Sequence, residues 1–363
     1  MVHSILLRKD NFVDVLKEFL NIEHCVLGNS GRALLCQLLM ALKRKADLKR
    51  NMVLIPGYTC YSVAASVVGA GLEIACYDLD PSTLSPDMDS VHAMAGENTL
   101  AVIGQHLFGI PTPIDELISV AHGVGASLIE DAAQGLGGIF QDKKLGTIGD
   151  FGLFSFGRGK PLPLGGGGAI VGSDEIVQSL ISGPTSSGYL DLARAASSRF
   201  LSHKRIYGVL EALPLGLGET VFDPGFLMKP MSRALQRMGA CSMRALQSLN
   251  VHRRATAKIY HEILYDAGES LFRPSNGAVF TRYPIMAGIN PIPKSLRRLG
   301  VRCMYPKAIL DEQSIAPYRA AHNMPTPGAL RISGRLITLP THGGIDSELA
   351  RTIAVGVKDS YSW

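Results

Sequence analysis

The chain is short of charge, of paired cysteines and of long apolar runs, and each shortage removes a class of function. Only 18% of its 363 residues are Asp, Glu, Lys or Arg, and the net charge is a modest +5. The basic residues are scattered, with local clusters only at Lys43-Arg44-Lys45 and Arg253-Arg254. A nucleic-acid binder concentrates such charge on one face, so nucleic acid is not an expected partner. Mildly basic surface suits a phosphorylated small molecule instead. Six cysteines (25, 36, 60, 76, 241 and 303) are far apart and form no CxxC pair, which argues against a zinc site and a disulfide framework. No run approaches the roughly 18 apolar residues of a membrane span. The first ten residues also lack the apolar core and small-residue cleavage site of a signal peptide. The expectation is a reduced, cytoplasmic, soluble protein with no membrane partner.

Nucleotide motifs are missing too. A phosphate-binding P-loop around Gly159-Lys160 would need glycine where Phe154 stands and Ser or Thr where Pro161 stands. No Gly-x-Gly-x-x-Gly opens a helix after a strand, so dinucleotide redox chemistry loses its signature as well.

What is present is a globular composition, 46% hydrophobic with 39 Gly and 20 Pro, and a length that suggests two domains. Short apolar runs at 53–55, 72–77, 99–104, 127–129, 151–156 and 169–171 alternate with helical patterns at 61–68 and 114–122. Such alternation predicts an α/β fold with a mostly parallel sheet covered on both faces. Beyond about 185 the pattern changes, and 232–267 reads as one long helical stretch leading into a smaller α+β unit. The expected division is 1–247 for a large domain and 248–363 for a small C-terminal one.

Ligands of parallel sheets bind at the carboxyl ends of the strands, which directs attention to three segments. In the first, a short strand at 25–28 runs into Asn29-Ser30-Gly31-Arg32 and then a helix. Ser30 or Asn29 suits the N-cap, and the N–H groups that follow offer an anion site; an ordinary capped helix is the plain alternative. In the second, Glu130 and Asp131 end a strand with side chains on opposite faces, so at most one of them faces a given pocket. That carboxylate could partner a protonated ring nitrogen, or Asp131 could simply cap a helix. In the third, Lys160 lies among Phe, Gly and Pro residues after the strand that carries Ser155. A lysine so placed is expected to be partly desolvated, hence a better nucleophile toward an aldehyde, unless it is an ordinary loop lysine.

Taken in order, Ser-Gly before a helix, Pro-x-x-Thr at 56–59, Glu-Asp-x-Ala-Gln at 130–134 and Ser-Phe-x-x-x-Lys at 155–160 before a glycine run resemble one family. They resemble the sugar aminotransferases of the DegT/DnrJ/EryC1/StrS group, pyridoxal 5'-phosphate (PLP) enzymes of the aspartate aminotransferase-like fold. The resemblance covers about 12–175, returning at 250–260 and at Leu339-Pro340-Thr341-His342. It implies a three-layer αβα large domain and an active site built at a homodimer interface. Lys160 would bond the cofactor aldehyde and shuttle a proton. Asp131 would hold the pyridine nitrogen protonated, and Gln134 would bond the phenolic oxygen. Ser155, Ser30 and Gly31 would hold the phosphate.

The implied reaction moves an amino group from an amino acid donor, glutamate in most relatives, to a keto-sugar that is usually nucleotide-linked. Lysine at 160, where dehydratase relatives have histidine, favours transamination. The resemblance breaks at some positions. Arg32 replaces a usual Thr, and at a helix start it suits a phosphate better than it suits the helix dipole. Where relatives stack an aromatic ring on the cofactor, this chain has Cys60 between Tyr58 and Tyr61; either tyrosine or the thiol could pack that face. The loop that reaches the partner's site in relatives is not recognisable over about 185–230, and the usual N-terminal extension is nearly absent. The competing class is a non-transaminating PLP enzyme or a PLP-binding regulatory protein on the same scaffold.

Overall fold

The computed structural model describes residues 11–181, 183–188, 191, 221–265, 277–287 and 291–361. Eleven strands occur among them: β1 (His24–Gly28), β2 (Met52–Pro56), β3 (Glu73–Tyr77), β4 (Thr99–Gln105), β5 (Ser127–Asp131), β6 (Ile139–Phe140), β7 (Lys143–Lys144), β8 (Phe151–Ser155), β9 (Gly168–Gly172), β10 (Arg282–Met286) and β11 (Leu336–Pro340). Seven form one sheet in the order β1-β9-β8-β5-β4-β2-β3. Pairing is parallel throughout β3-β2-β4-β5-β8, whereas β9 runs antiparallel to both of its neighbours. Every residue of β2 and β4 is buried, as expected for central parallel strands covered on both faces.

The chain topology collects the three segments. Gln105 of β4 pairs with Asp131 of β5, and Asp131 pairs with Leu153 of β8, so the carboxyl ends of these strands open on one edge. The helix Gly31–Lys45 starts at that edge. Its N-cap is Ser30, whose hydroxyl accepts from the Ala33 N–H at 3.2 Å. The cluster Lys43-Arg44-Lys45 forms its last turn, where cations oppose the helix dipole favourably.

The C-terminal part adds the antiparallel pair β10-β11, flanked by the helices Leu246–Leu264 and Ser347–Ser360. One buried apolar cluster runs from Met52 of β2 to Val357 of the last helix and so ties both parts together. The stretch expected as one long helix is instead Arg233–Ser242, a tighter 3-10 turn at Met243–Ala245, and Leu246–Leu264. The turn re-phases the second helix, which buries Leu246, Asn250, Arg253, Ala257, Tyr260 and Leu264 at a spacing of three or four residues. No helix among the described residues is long and apolar enough to cross a membrane.

Candidate active site

A cavity of about 140 Å³ lies at the strand ends and the start of the helix Gly31–Lys45. Seven of the residues singled out by sequence line it: Gly31, Arg32, Cys60, Asp131, Gln134, Ser155 and Lys160. Four separate stretches of sequence thus meet around one space.

The adjacent carboxylates part company as their strand geometry requires. Asp131 lines the cavity and is 6% exposed. Burial pushes its carboxyl above the ordinary carboxylate range, although nearby Lys160 and the Ala133 N–H, at 3.1 Å, draw it down. Glu130 points the other way, is fully buried and accepts four hydrogen bonds. Oε1 takes the N–H groups of Ile148 and Gly149, and Oε2 takes Gly146 N–H at 2.8 Å and His106 Nε2 at 2.9 Å. His106 Nδ1 accepts from the Thr112 N–H at 3.1 Å, a group that can only donate, so the ring proton sits on Nε2 and goes to Glu130. Glu130 therefore latches the 146–149 turn to the sheet, and Asp131 is left as the cavity's carboxylate.

Gln134 is fixed by one end. Its Oε1 accepts from the Phe108 N–H, a bond presented by the left-handed backbone of Phe108 (φ 57°), which leaves its amide N–H groups as donors at the cavity. At the helix start, the N–H groups of Gly31 and Arg32 precede the first intrahelical bond, from Leu34 N to Ser30 O. A β-carbon at Gly168 would lie 2.6 Å from Gly31 N, so glycine there lets β9 pass directly behind this donor group.

Three expected positions differ. Ser30 is not part of the lining; its hydroxyl is engaged by the Ala33 N–H as the helix cap. Tyr58 is wholly buried against Tyr305, with ring centroids 5.2 Å apart, and its hydroxyl accepts from the Tyr305 N–H, so it backs the cavity without reaching it. Tyr61 hydrogen-bonds both main-chain groups of Lys307 and also stays outside, whereas the Cys60 thiol, which accepts from Ser62 Oγ at 2.9 Å, reaches the lining. Arg32 lines the cavity, but its guanidinium lies over the Phe226 ring (5.1 Å) and 3.9 Å from Asp223. Most of the region expected to carry a partner-reaching loop, 192–220, lies outside the described residues.

Sequence reading missed Gln105, His106 and Tyr305, all of which line the cavity. The strand-end rule that found Asp131 points equally at 105–106. Tyr305 comes from the far C-terminal part and had no local signal; burial pushes its phenol well above the usual range, keeping it a proton donor.

A family model, the DegT/DnrJ/EryC1/StrS aminotransferase family, matches residues 7–358. The chain belongs to that family. Among its curated relatives, the L-glutamine:2-deoxy-scyllo-inosose aminotransferase of Streptomyces kanamyceticus is 30% identical over 273 residues, 73% of this chain and 58% of that one. The GDP-perosamine synthase of Caulobacter vibrioides is 29% identical over 164 residues, 45% of each chain. The chain spans about half the length of these relatives. A crystal structure of a family aminotransferase from Brucella abortus superposes with a TM-score of 0.72 at 21% identity, covering 97% of this chain and 90% of that one, which establishes the shared fold.

The donor set suits a specific kind of guest. The lining offers the helix-start N–H groups of Gly31 and Arg32 and the Ser155 hydroxyl for an anion, the Lys160 amine, the Gln134 amide and the buried Asp131 carboxylate. A phosphorylated, aldehyde-bearing ring with a basic nitrogen matches that set of groups.

Proposed function

We propose that the protein is a PLP-dependent aminotransferase that moves an amino group from glutamate or glutamine to a ketone on a sugar or sugar-like ring, and that it works as a homodimer. The observation that carries the reading is Asp131. A buried carboxylate above its ordinary pKa range, facing a cavity with Lys160, is costly alone and stabilised by a protonated ring nitrogen. When bound, PLP supplies an electron sink that makes the donor's α-proton removable.

The chain's own groups divide the remaining work. Lys160 anchors the cofactor, then moves a proton at Nζ as base and as acid. Asp131 keeps the ring nitrogen protonated, and Gln134 donates to the ring oxygen. Gly31, Arg32 and Ser155 take the phosphate; Arg32 is released for it when the anion replaces Asp223 as the guanidinium's partner. Cys60 and Tyr305 pack the ring's surroundings. The chain divides near the Met243–Ala245 turn, with 1–247 carrying the cofactor and 248–363 contributing Tyr305. The segment beside Arg32 exposes Val221, Leu227 and Met228, an apolar edge suited to a second copy.

The names of the relatives, one acting on a keto-cyclitol and one on a nucleotide-linked sugar, set the acceptor panel. Purified protein is loaded with PLP and given glutamate or glutamine, then keto-cyclitols and nucleotide-linked keto-sugars. Bleaching of the visible band by a donor and its return with one acceptor supports the reading. A band unmoved by every amino donor overturns transamination and leaves a non-transaminating role.

A further inference from the structure

The segment that carries the reacting lysine is short of hydrogen-bond donors. Pro161 and Pro163 have no N–H, so the stretch Lys160-Pro161-Leu162-Pro163 can be pinned mainly through its carbonyl oxygens. Main-chain hydrogen bonds hold its margins, from Lys160 N to Gly157 O and from Leu164 N to Phe156 O. What grips the carbonyls comes from elsewhere in the fold. Arg253, 6% exposed on the helix Leu246–Leu264, donates from Nη2 to Pro161 O at 2.9 Å and to Lys160 O at 3.4 Å. Its Nη1 donates to Asn250 Oδ1 at 2.6 Å, one turn back on the same helix face. Asn250 in turn donates from Nδ2 to Leu136 O at 3.0 Å. The approach is close enough that a β-carbon at Gly137 would lie 2.6 Å from that nitrogen. One face of one helix thus grips both the loop bearing Lys160 and the turn that follows Asp131 and Gln134.

We propose that Arg253, oriented by Asn250, is a positioning residue that fixes the main chain of Lys160 relative to Asp131, so that the amine meets the cofactor in register. The proposal rests on the PLP reading above. Among the described residues the partners of this guanidinium are carbonyl and amide oxygens, none a carboxylate, so its burial is not explained by an ion pair. Burial lowers its pKa to about 10, which still leaves it charged at neutral pH. A planar fork with fixed donor directions reaches an amide oxygen and two successive carbonyls together; an ammonium on a flexible stem does not.

The test uses the full chain with Arg253→Lys, which keeps charge and length but loses the fork, and the milder Asn250→Ala. Hydrogen exchange of the PLP-free protein reads the clamp without the cofactor. The proposal requires exchange at least about tenfold faster in 157–164 with the rest of the sheet unchanged. Stopped-flow mixing with PLP then reads registration: the visible band should form at least about tenfold more slowly, and kcat should fall with the donor KM unchanged. Wild-type exchange in 157–164, or a looser loop that still captures PLP at the wild-type rate, overturns it. If Arg253→Lys does not fold, the same two readouts on Asn250→Ala decide. Failure of wild-type protein itself to form the band would instead refute the PLP reading, and the exchange experiment would still report on the clamp.

Discussion

The same carboxylate-to-amide change at two neighbouring positions should have opposite consequences. In Glu130→Gln, one carboxylate oxygen becomes an NH2 group. Either orientation sets that group against two donors, the Ile148 and Gly149 N–H groups or Gly146 N–H and His106 Nε2–H. His106 cannot relieve the conflict by changing tautomer, because its Nδ1 is already facing the Thr112 N–H. Two charge-assisted bonds are lost, each worth about 1.5–3 kcal/mol, so the cost is about 3–6 kcal/mol. That is a large part of a typical stability of about 5–15 kcal/mol. In Asp131→Asn, Oδ1 can keep the Ala133 N–H and a buried charge disappears, so the PLP-free protein should gain on the order of 1 kcal/mol at neutral pH. The sign follows from the raised carboxyl of Asp131. The folded state holds its proton more tightly than the unfolded one, so the penalty is present above the folded pKa and absent below the ordinary value of about 3.9. The gain should therefore shrink as pH falls through that window. Urea melts of PLP-free protein followed by circular dichroism measure both. A Glu130→Gln loss below about 1 kcal/mol, or an Asp131→Asn loss larger than that, would refute the division of labour.

Other outcomes follow from the same geometry. Gly168→Ala places a β-carbon 2.6 Å from Gly31 N and 2.8 Å from Phe154 O, so PLP affinity should fall at least about tenfold by titration, with phosphate alone also bound more weakly. Tyr58→Phe should leave PLP affinity within about twofold of wild type, because among the described residues its hydroxyl serves the Tyr305 main chain across 3.4 Å and does not line the cavity. Alkylation of Cys60, followed by peptide mass spectrometry, should slow when PLP is added, whereas the exposed Cys241 and Cys303 should react unchanged.

Much of this site was legible because strand ends are legible. Apolar runs located β2, β4, β5 and β8, and the residues after them proved to be neighbours in space. Period-two alternation separated Glu130 from Asp131 in principle, although which one faced the cavity required the sheet's covering layers. Tyr58 was misplaced because side-chain direction cannot be counted through the turn at 57–60 that follows β2. Ser30 was correctly a cap candidate: its hydroxyl accepts from the Ala33 N–H. Tyr305 and the Arg253–Asn250 grip were invisible, since their significance lies in contacts across more than ninety positions of chain with no periodic signature.

The most direct test of the central claim is the visible absorbance of protein reconstituted with PLP, read in wild type and Lys160→Ala before and after glutamate or glutamine. Lys160 as anchor and proton carrier requires a band in wild type that bleaches with release of the 2-oxo acid, and neither signal in Lys160→Ala. An equal band and equal bleaching in Lys160→Ala would contradict it.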